Sequence, residues 1–167
     1  MRQIVIRVVR ACAFVIPLTF ATVVPAVAAP HAGDAAPAFS LPRAKGAGNV
    51  SLDAYRGKAL YLNFFASWCA PCNAEAPGIA KDYAKYRSRG LEVVGVDELE
   101  DRATALGFAK KYRWPFAIGV DGGGVGRTYG VIALPVHVFI DRRGKISTYR
   151  LGEMEPGEIE DAIKKVL

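Results

Sequence analysis

Apolar strand-like segments and amphipathic helical segments alternate along this chain, and that alternation constrains its fold more than any other feature. Lys58–Ala66 and Leu91–Val96 are short apolar segments that predict buried strands, and residues 70–88 between them predict a helix. Residues 101–112 predict a second helix and Phe116–Val120 a third strand. This order is typical of an α/β domain in which helices cover both faces of a parallel sheet.

The C-terminal part of the chain predicts an antiparallel end to that sheet. A short helical segment near Arg127–Tyr129 precedes a strand at Val136–Ile140. The turn sequence Asp141-Arg142-Arg143-Gly144 connects this strand to Lys145–Leu151, so the two strands predict a hairpin. Pro156 suits the first turn of a final helix with one apolar face. The predicted sheet is therefore mixed.

The N-terminal segment predicts export. Residues 1–10 contain three arginines and no acid, residues 11–30 are uncharged, and the apolar segment ends at Ala26-Val27-Ala28-Ala29. This pattern is typical of a secretory signal peptide, here residues 1–29, cleaved after Ala28 or Ala29. The alternative is an uncleaved membrane anchor, because the uncharged run is about as long as a bilayer is thick. Both place the remaining chain outside the cytoplasm.

The length of the chain indicates how many domains it forms, and its charge bears on whether it binds nucleic acid. The chain has 167 residues, which predicts one ordinary domain at 38–167 after a short Ala, Pro and Gly-rich linker at 30–37. Of the net charge of +6, three positive charges lie in the N-terminal segment. The small excess that remains gives no reason to expect a nucleic-acid partner.

The sequence Trp68-Cys69-Ala70-Pro71-Cys72 carries the chemistry, because it joins a predicted strand to a predicted helix. Unpaired backbone N–H groups at a helix start stabilise a thiolate, which is the attacking species in disulfide exchange. Cys72 lies within one helical turn of Cys69 and can attack a mixed disulfide formed there. Pro71 lies in the first turn, where its missing N–H costs little. The motif predicts a redox-active dithiol.

Metal binding is the main alternative for such a pair. A structural zinc site needs four ligands, and beyond the pair the chain offers only Cys12 in the N-terminal segment, His31 and His137. A Cu(I) carrier needs only the two thiols, although Met154 is the one methionine outside position 1. We therefore expect no metal and no soluble cofactor, and keep a Cu(I)-binding module as an alternative.

The sequence Asn63–Pro77, which contains the motif, resembles the active-site sequence of the thioredoxin-like family. It is most similar to the TlpA/ResA type of exported thiol–disulfide oxidoreductases, the cytochrome c biogenesis thioredoxins. The similarity extends from Gly33 to the C-terminus and includes Leu134-Pro135 before a strand. It implies a single thioredoxin-like domain whose central mixed β-sheet is flanked by helices on both faces.

The resemblance also assigns roles to individual residues. It implies that Cys69 is the nucleophile, that Cys72 is the resolving thiol, and that Pro135 is a cis-proline facing the pair. Trp68, Pro71, Leu134 and Pro135 are the implied substrate-binding residues, with Trp68 packing over the motif. An ordinary proline at a strand start and a simple packing role for Trp68 are the alternatives.

Proton handling is assigned less directly. Glu75 matches an acidic residue of the ResA-like branch and lies on the same helix side as Cys72, so it is a candidate catalytic residue. Asn63 stands where thioredoxin itself carries a buried Asp, so an assisting base must be Glu75, Asp97, Glu98 or water. His137 is expected to face a helix or solvent from its strand, or to act at the edge of the substrate groove.

The family resemblance implies an exported, periplasmic reductase that keeps specific substrate thiols reduced. Its substrates would be proteins with cysteine pairs, such as haem-attachment or copper-site cysteines, and a membrane thiol donor would supply electrons. A general oxidant of secreted proteins remains a further alternative, because the same fold operates in both directions.

Overall fold

Five strands form the central sheet of this computed structural model, which describes residues 29–167. The predicted signal peptide or anchor, with Cys12, lies almost entirely outside the described residues. Within residues 29–167, none of the helices is both long and apolar enough to cross a membrane.

From residue 58 onward the elements follow one another as the sequence predicts, and two short strands that were not predicted precede them. They are β1 (Ser40–Pro42), β2 (Asn49–Ser51), β3 (Ala59–Phe65), α1 (Ala70–Tyr86), β4 (Leu91–Glu98), α2 (Arg102–Tyr112), β5 (Ala117–Asp121), α3 (Gly124–Thr128), β6 (Val136–Ile140), β7 (Ile146–Leu151) and α4 (Pro156–Val166). The strand order is β5-β4-β3-β6-β7, with β3, β4 and β5 parallel and both β6 and β7 antiparallel to their neighbours. The predicted mixed α/β sheet is confirmed.

Both faces of the sheet are covered, which explains why β3 is buried along its whole length. Tyr61 and Phe65 point into an apolar layer shared with α1, α2 and α4. Leu62 and Phe64 point to the other side, where a second layer includes residues of β1, of β2 and of the segment at α3. Three of the four helices thus share one face, and α3 lies on the other.

The parallel strands bring the functional residues to one edge of the sheet. The C-terminal ends of β3, β4 and β5 all lie at this edge. Since β6 is antiparallel to β3, with Val136 opposite Phe64, β6 begins at the same edge. The strand-to-helix connection at residues 66–69 is therefore next to the segment that leads into β6.

The predicted linker is partly hydrogen-bonded to the rest of the domain. The backbone N–H of Gly33 donates to the carbonyl of Ile146 at 2.8 Å, and the N–H of Ile146 donates to Asp34 at 2.9 Å. The N–H of Ala36 donates to the carbonyl of Gly144 at 2.9 Å. Residues 33–36 therefore lie along the start of β7.

Candidate active site

Cys69 and Cys72 form a disulfide at the N-terminus of α1, with Cα atoms 5.3 Å apart. Cys69 is the N-cap residue, and its Sγ accepts the backbone N–H of Cys72 at 3.3 Å. Pro71 lies in the first helical turn, as predicted. The cysteines are only 4 % and 3 % exposed. The sulfur of Cys69 thus occupies the end of the helix that favours negative charge, which stabilises a thiolate after reduction.

Two polar side chains, Glu100 after β4 and Asn73 in α1, hold the segment that leads into the motif. Both carboxylate oxygens of Glu100 accept hydrogen bonds from Ser67, one from its backbone N–H and one from its hydroxyl, each at 2.6 Å. The amide nitrogen of Asn73 donates to the carbonyls of Ser67 and Cys69, each at 2.8 Å. The position of Cys69 is therefore set by hydrogen bonds on both sides of it.

Asn73 also ties this segment to α2. Its amide oxygen accepts the hydroxyl of Tyr112 at 2.6 Å and the ammonium of Lys111 at 3.0 Å. Sequence reasoning did not select Asn73 or Glu100, because Glu100 lies 33 residues from Ser67 and Asn73 lies 39 residues from Tyr112. No local pattern reports such a pairing.

We expect Asn73→Ala to lower the free energy of unfolding by about 2 kcal/mol, because the part-buried carbonyls of Ser67 and Cys69 each lose an amide donor and the Tyr112 hydroxyl loses its acceptor. We also expect faster exchange of the backbone N–H groups near Ser67. Thermal unfolding and hydrogen exchange of the oxidised protein measure both effects. Lys111→Ala is the matched control, since it removes one exposed contact to Asn73 and leaves the loop bonds intact. An unchanged stability in Asn73→Ala would contradict this assignment.

Glu75 is a buried carboxylate three residues beyond Cys72. Its Oε1 accepts the backbone N–H of Met154 at 2.7 Å, and its Oε2 lies 3.5 Å from Nε2 of His137. Neither of these last two atoms makes a hydrogen bond. His137 is fully buried, so of its predicted orientations the structure shows the one towards the helix. The hydroxyl of Tyr61 lies 2.7 Å from Nδ1 of His137.

The other two acidic candidates lie on opposite faces of the sheet. Asp97 is fully buried on the face shared with Phe65 and α1, and neither of its oxygens has a hydrogen-bond partner. Burial, reinforced by the nearby carboxyl of Glu100, raises the pKa of Asp97 to about 8. Glu98 points to the α3 face, where burial and the Asp121 carboxylate raise its pKa to about 7. Glu98 is therefore on the side of the sheet away from the cysteines.

The residues assigned to substrate binding lie at the same edge. Trp68 is 71 % exposed, so it is not a core side chain. The Leu134–Pro135 peptide bond is cis, as the resemblance implies, and it immediately precedes β6. Leu99 and Ile132, at 74 % and 86 % exposure, also extend from loops at this edge. Trp68, Leu99 and Ile132 thus expose apolar side chains in loops at this edge of the sheet.

Within residues 29–167, no group of three or more His, Cys, Asp or Glu side chains is arranged to hold a metal ion. A disulfide at a helix start, with a cis-proline immediately before an adjoining strand, defines the class of protein: a thioredoxin-like thiol–disulfide oxidoreductase. The AhpC/TSA family model matches residues 32–149. The chain belongs to this family, in its ResA- and DsbE-like group of thiol–disulfide oxidoreductases.

Relatives of known sequence support this placement. The chain is 35 % identical over 135 residues to the thiol-disulfide oxidoreductase ResA of Bacillus thuringiensis subsp. konkukian, covering 80 % of this chain and 78 % of ResA. It is 33 % identical to ResA of Geobacillus thermodenitrificans, covering 80 % and 77 %. A match over 135 of the 167 residues necessarily includes the motif at residues 68–72.

Solved structures show the same fold. A Chlorobium tepidum protein described as a thiol:disulfide interchange protein DsbE superposes with a TM-score of 0.73 and 33 % identity, covering 81 % of this chain and 96 % of that protein. A secreted disulfide oxidoreductase of Mycobacterium tuberculosis, homologous to Escherichia coli DsbE, gives a TM-score of 0.68 and 26 % identity, covering 76 % and 95 %. The thioredoxin-like domain is thereby confirmed.

Proposed function

We propose that this oxidoreductase is an exported reductase of specific cysteine pairs in other proteins. The observation that carries the proposal is the near-complete burial of both cysteines beneath an exposed apolar edge. A cysteine that is 4 % exposed reacts only with a disulfide that is brought to it by docking. The substrate class we favour is a paired-cysteine site that must stay reduced, such as haem-attachment cysteines of c-type cytochromes or copper-site thiols.

The reaction consists of two thiol–disulfide exchanges. The Cys69 thiolate attacks one sulfur of the substrate disulfide, which forms an S–S bond to the enzyme and releases one substrate thiolate. Cys72 then loses its proton and attacks Sγ of Cys69, which forms the Cys69–Cys72 disulfide and releases the second substrate thiolate. The two released thiolates take up protons. The substrate disulfide is reduced by two electrons and the enzyme dithiol is oxidised by two.

The residues around the cysteine pair have roles in these two exchange reactions. Trp68, Leu134 and Pro135, together with Pro71 in the motif, contact an extended substrate segment beside Cys69. Glu75 accepts the proton of Cys72 in the second exchange, because its carboxylate lies one helical turn further along α1. No soluble cofactor takes part, since the cysteine pair itself carries the electrons.

The compartment follows from the same proposal. A signal sequence or anchor at residues 1–29 directs the domain to the periplasm, where most thiols become oxidised. Each turnover leaves the Cys69–Cys72 disulfide, so a donor must reduce it again. We propose a membrane protein with its own dithiol as that donor.

We expect a reduction potential below about −200 mV for the Cys69/Cys72 pair, as in dedicated reductases. Equilibration of the purified, metal-free protein with glutathione or dithiothreitol buffers, followed by thiol alkylation, measures this potential. A value near about −120 mV, at the strongly oxidising end, would instead make the protein a donor of disulfides. Stoichiometric Cu(I) binding without thiol exchange would establish the binding module in place of the enzyme.

A further inference from the structure

Two buried side chains beneath α1, Glu75 and His137, each have one polar atom without a hydrogen bond, and these two atoms face each other. Glu75 and His137 are 8 % and 0 % exposed, so neither side chain is solvated. Buried polar atoms are almost always hydrogen-bonded, because an unpaired one costs free energy. Oε2 of Glu75 and Nε2 of His137 lack hydrogen bonds and face each other across 3.5 Å. A small approach of the two side chains satisfies both atoms.

The remaining contacts of His137 determine which nitrogen carries the hydrogen. The hydroxyl of Tyr61 lies 2.7 Å from Nδ1, and the amide nitrogen of Asn63 lies 3.4 Å from the same atom. An amide nitrogen can only donate, so Nδ1 is the acceptor. Burial raises the pKa of Tyr61 well above its usual range, which keeps its hydroxyl protonated and able to donate. A neutral imidazole whose Nδ1 accepts carries its hydrogen on Nε2, facing Glu75.

We propose that His137 is a positioning residue for thiol–disulfide exchange: its Nε2–H donates to Oε2 of Glu75 and holds that carboxylate oriented for the proton of Cys72. The proposal rests on the role of Glu75 given above. In the second exchange the Cys72 proton moves to Glu75, while the hydrogen on Nε2 stays in place. Tyr61 acts one step further away, by fixing the imidazole tautomer.

The surroundings of Glu75 leave this task to His137. A cleft of about 230 Å³ reaches Glu75 between α1 and the start of α4, and its other charged lining residues, Asp82, Glu153 and Glu155, are all acidic. Arg150 lies opposite His137 on β7, but its side chain is exposed. The backbone N–H of Met154 occupies only Oε1. The cleft also gives the proton a route to solvent.

The test separates the two exchanges. The reduced protein reacts with 5,5′-dithiobis(2-nitrobenzoate), and the first released thiolate reports attack by Cys69 while the second reports resolution by Cys72. We expect His137→Leu to slow the second phase about 10-fold at neutral pH, since the carboxylate of Glu75 loses the donor that orients it. The first phase should change little.

Two further variants distinguish a failure of the proposed role of Glu75 from a failure of the proposed role of His137. His137→Gln keeps an N–H near the Nε2 position and should restore most of the second-phase rate. Glu75→Gln should slow the second phase at least as much as His137→Leu. If Glu75→Gln leaves that phase unchanged, the proposed role of Glu75 is wrong. If Glu75→Gln slows it and His137→Leu does not, only the role of His137 is overturned.

Nuclear magnetic resonance of the unmutated protein tests the tautomer without any substitution. We expect the imidazole nitrogen shifts of His137 to show a hydrogen on Nε2 and a lone pair on Nδ1 throughout the neutral pH range. A hydrogen on Nδ1 would overturn the proposal, because Nε2 could then no longer donate to Glu75.

Discussion

Replacing Cys69 by Ser is expected to abolish reduction of disulfide substrates, with a loss of about 1,000-fold or more in kcat/KM. In the proposed mechanism the thiolate of Cys69 begins the exchange, and a hydroxyl at the same position stays protonated at neutral pH. Its place at the N-cap of α1 adds to the loss, because the helix end stabilises a thiolate that serine does not form. Reduction of insulin disulfides by dithiothreitol, with the protein as catalyst, measures the effect.

The matched variant Cys72→Ser should fail in a different way. It retains the Cys69 thiolate, so the first exchange proceeds, but no second thiol can release the substrate. We expect a stable mixed disulfide at Cys69 that survives non-reducing gel electrophoresis and is visible by mass spectrometry. The same variant therefore captures substrates from a periplasmic extract. Equal trapping by Cys69→Ser and Cys72→Ser would contradict the assigned order of attack.

The strands and helices could be predicted because each segment shows its own periodicity. β3 and β4 are continuous apolar segments, and the C-terminal helix has a clear apolar face. The sequence predicts the short helix α3 near Arg127–Tyr129, but it covers Gly124–Thr128. The glycines before Arg127 indicate a turn, because glycine is unfavourable within a helix, so the start of α3 could not be recognised. The sequence predicts a linker at residues 33–36, but in the structure this segment pairs with the start of β7. That pairing could not be predicted, because its partners are more than a hundred positions away.

The cysteine pair could be predicted because strand, cysteines, proline and helix are adjacent in sequence. The supporting network could not, since it joins β3, α1, β6 and the segment before α4. The resemblance to the ResA-like branch, together with the spacing from Cys72, singles out Glu75, but its contact with His137 depends on the pairing of β6 with β3. Asp97 and Glu98 are neighbours in sequence, and only the alternation of a strand places one beneath α1 and the other against α3.

The stability of the oxidised protein is expected to fall as the pH rises from about 4 to about 8. Asp97 has an ordinary pKa of 3.8 when exposed and a pKa of about 8 in the fold. Between these values the folded state binds more protons than the unfolded state, so rising pH favours unfolding. Glu98, whose pKa is raised from 4.5 to about 7, acts in the same direction over a narrower range.

Asp97→Asn should remove most of this dependence, because an amide stays neutral at every pH. An unpaired buried carboxylate costs about 2 kcal/mol or more, which corresponds to roughly 7 °C in Tm for a domain of this size. We therefore expect the variant to melt that much higher than the unmutated protein at pH 9, with little difference at pH 4. Calorimetry of the oxidised protein avoids titration of the thiols.

Asp141→Asn is the matched control, because its effect should have the opposite sign. The backbone N–H groups of Lys145 and Arg143, with the Arg143 guanidinium, hold the pKa of Asp141 below its usual range. Its ionised form therefore stabilises the fold above the unfolded pKa, and that contribution is lost as the pH falls. Asp141→Asn should lower Tm at pH 7 and not at low pH. If both variants lower Tm at pH 9, the ionised carboxylate of Asp97 stabilises the fold. The raised pKa of Asp97, and the pH dependence expected from it, would then be wrong.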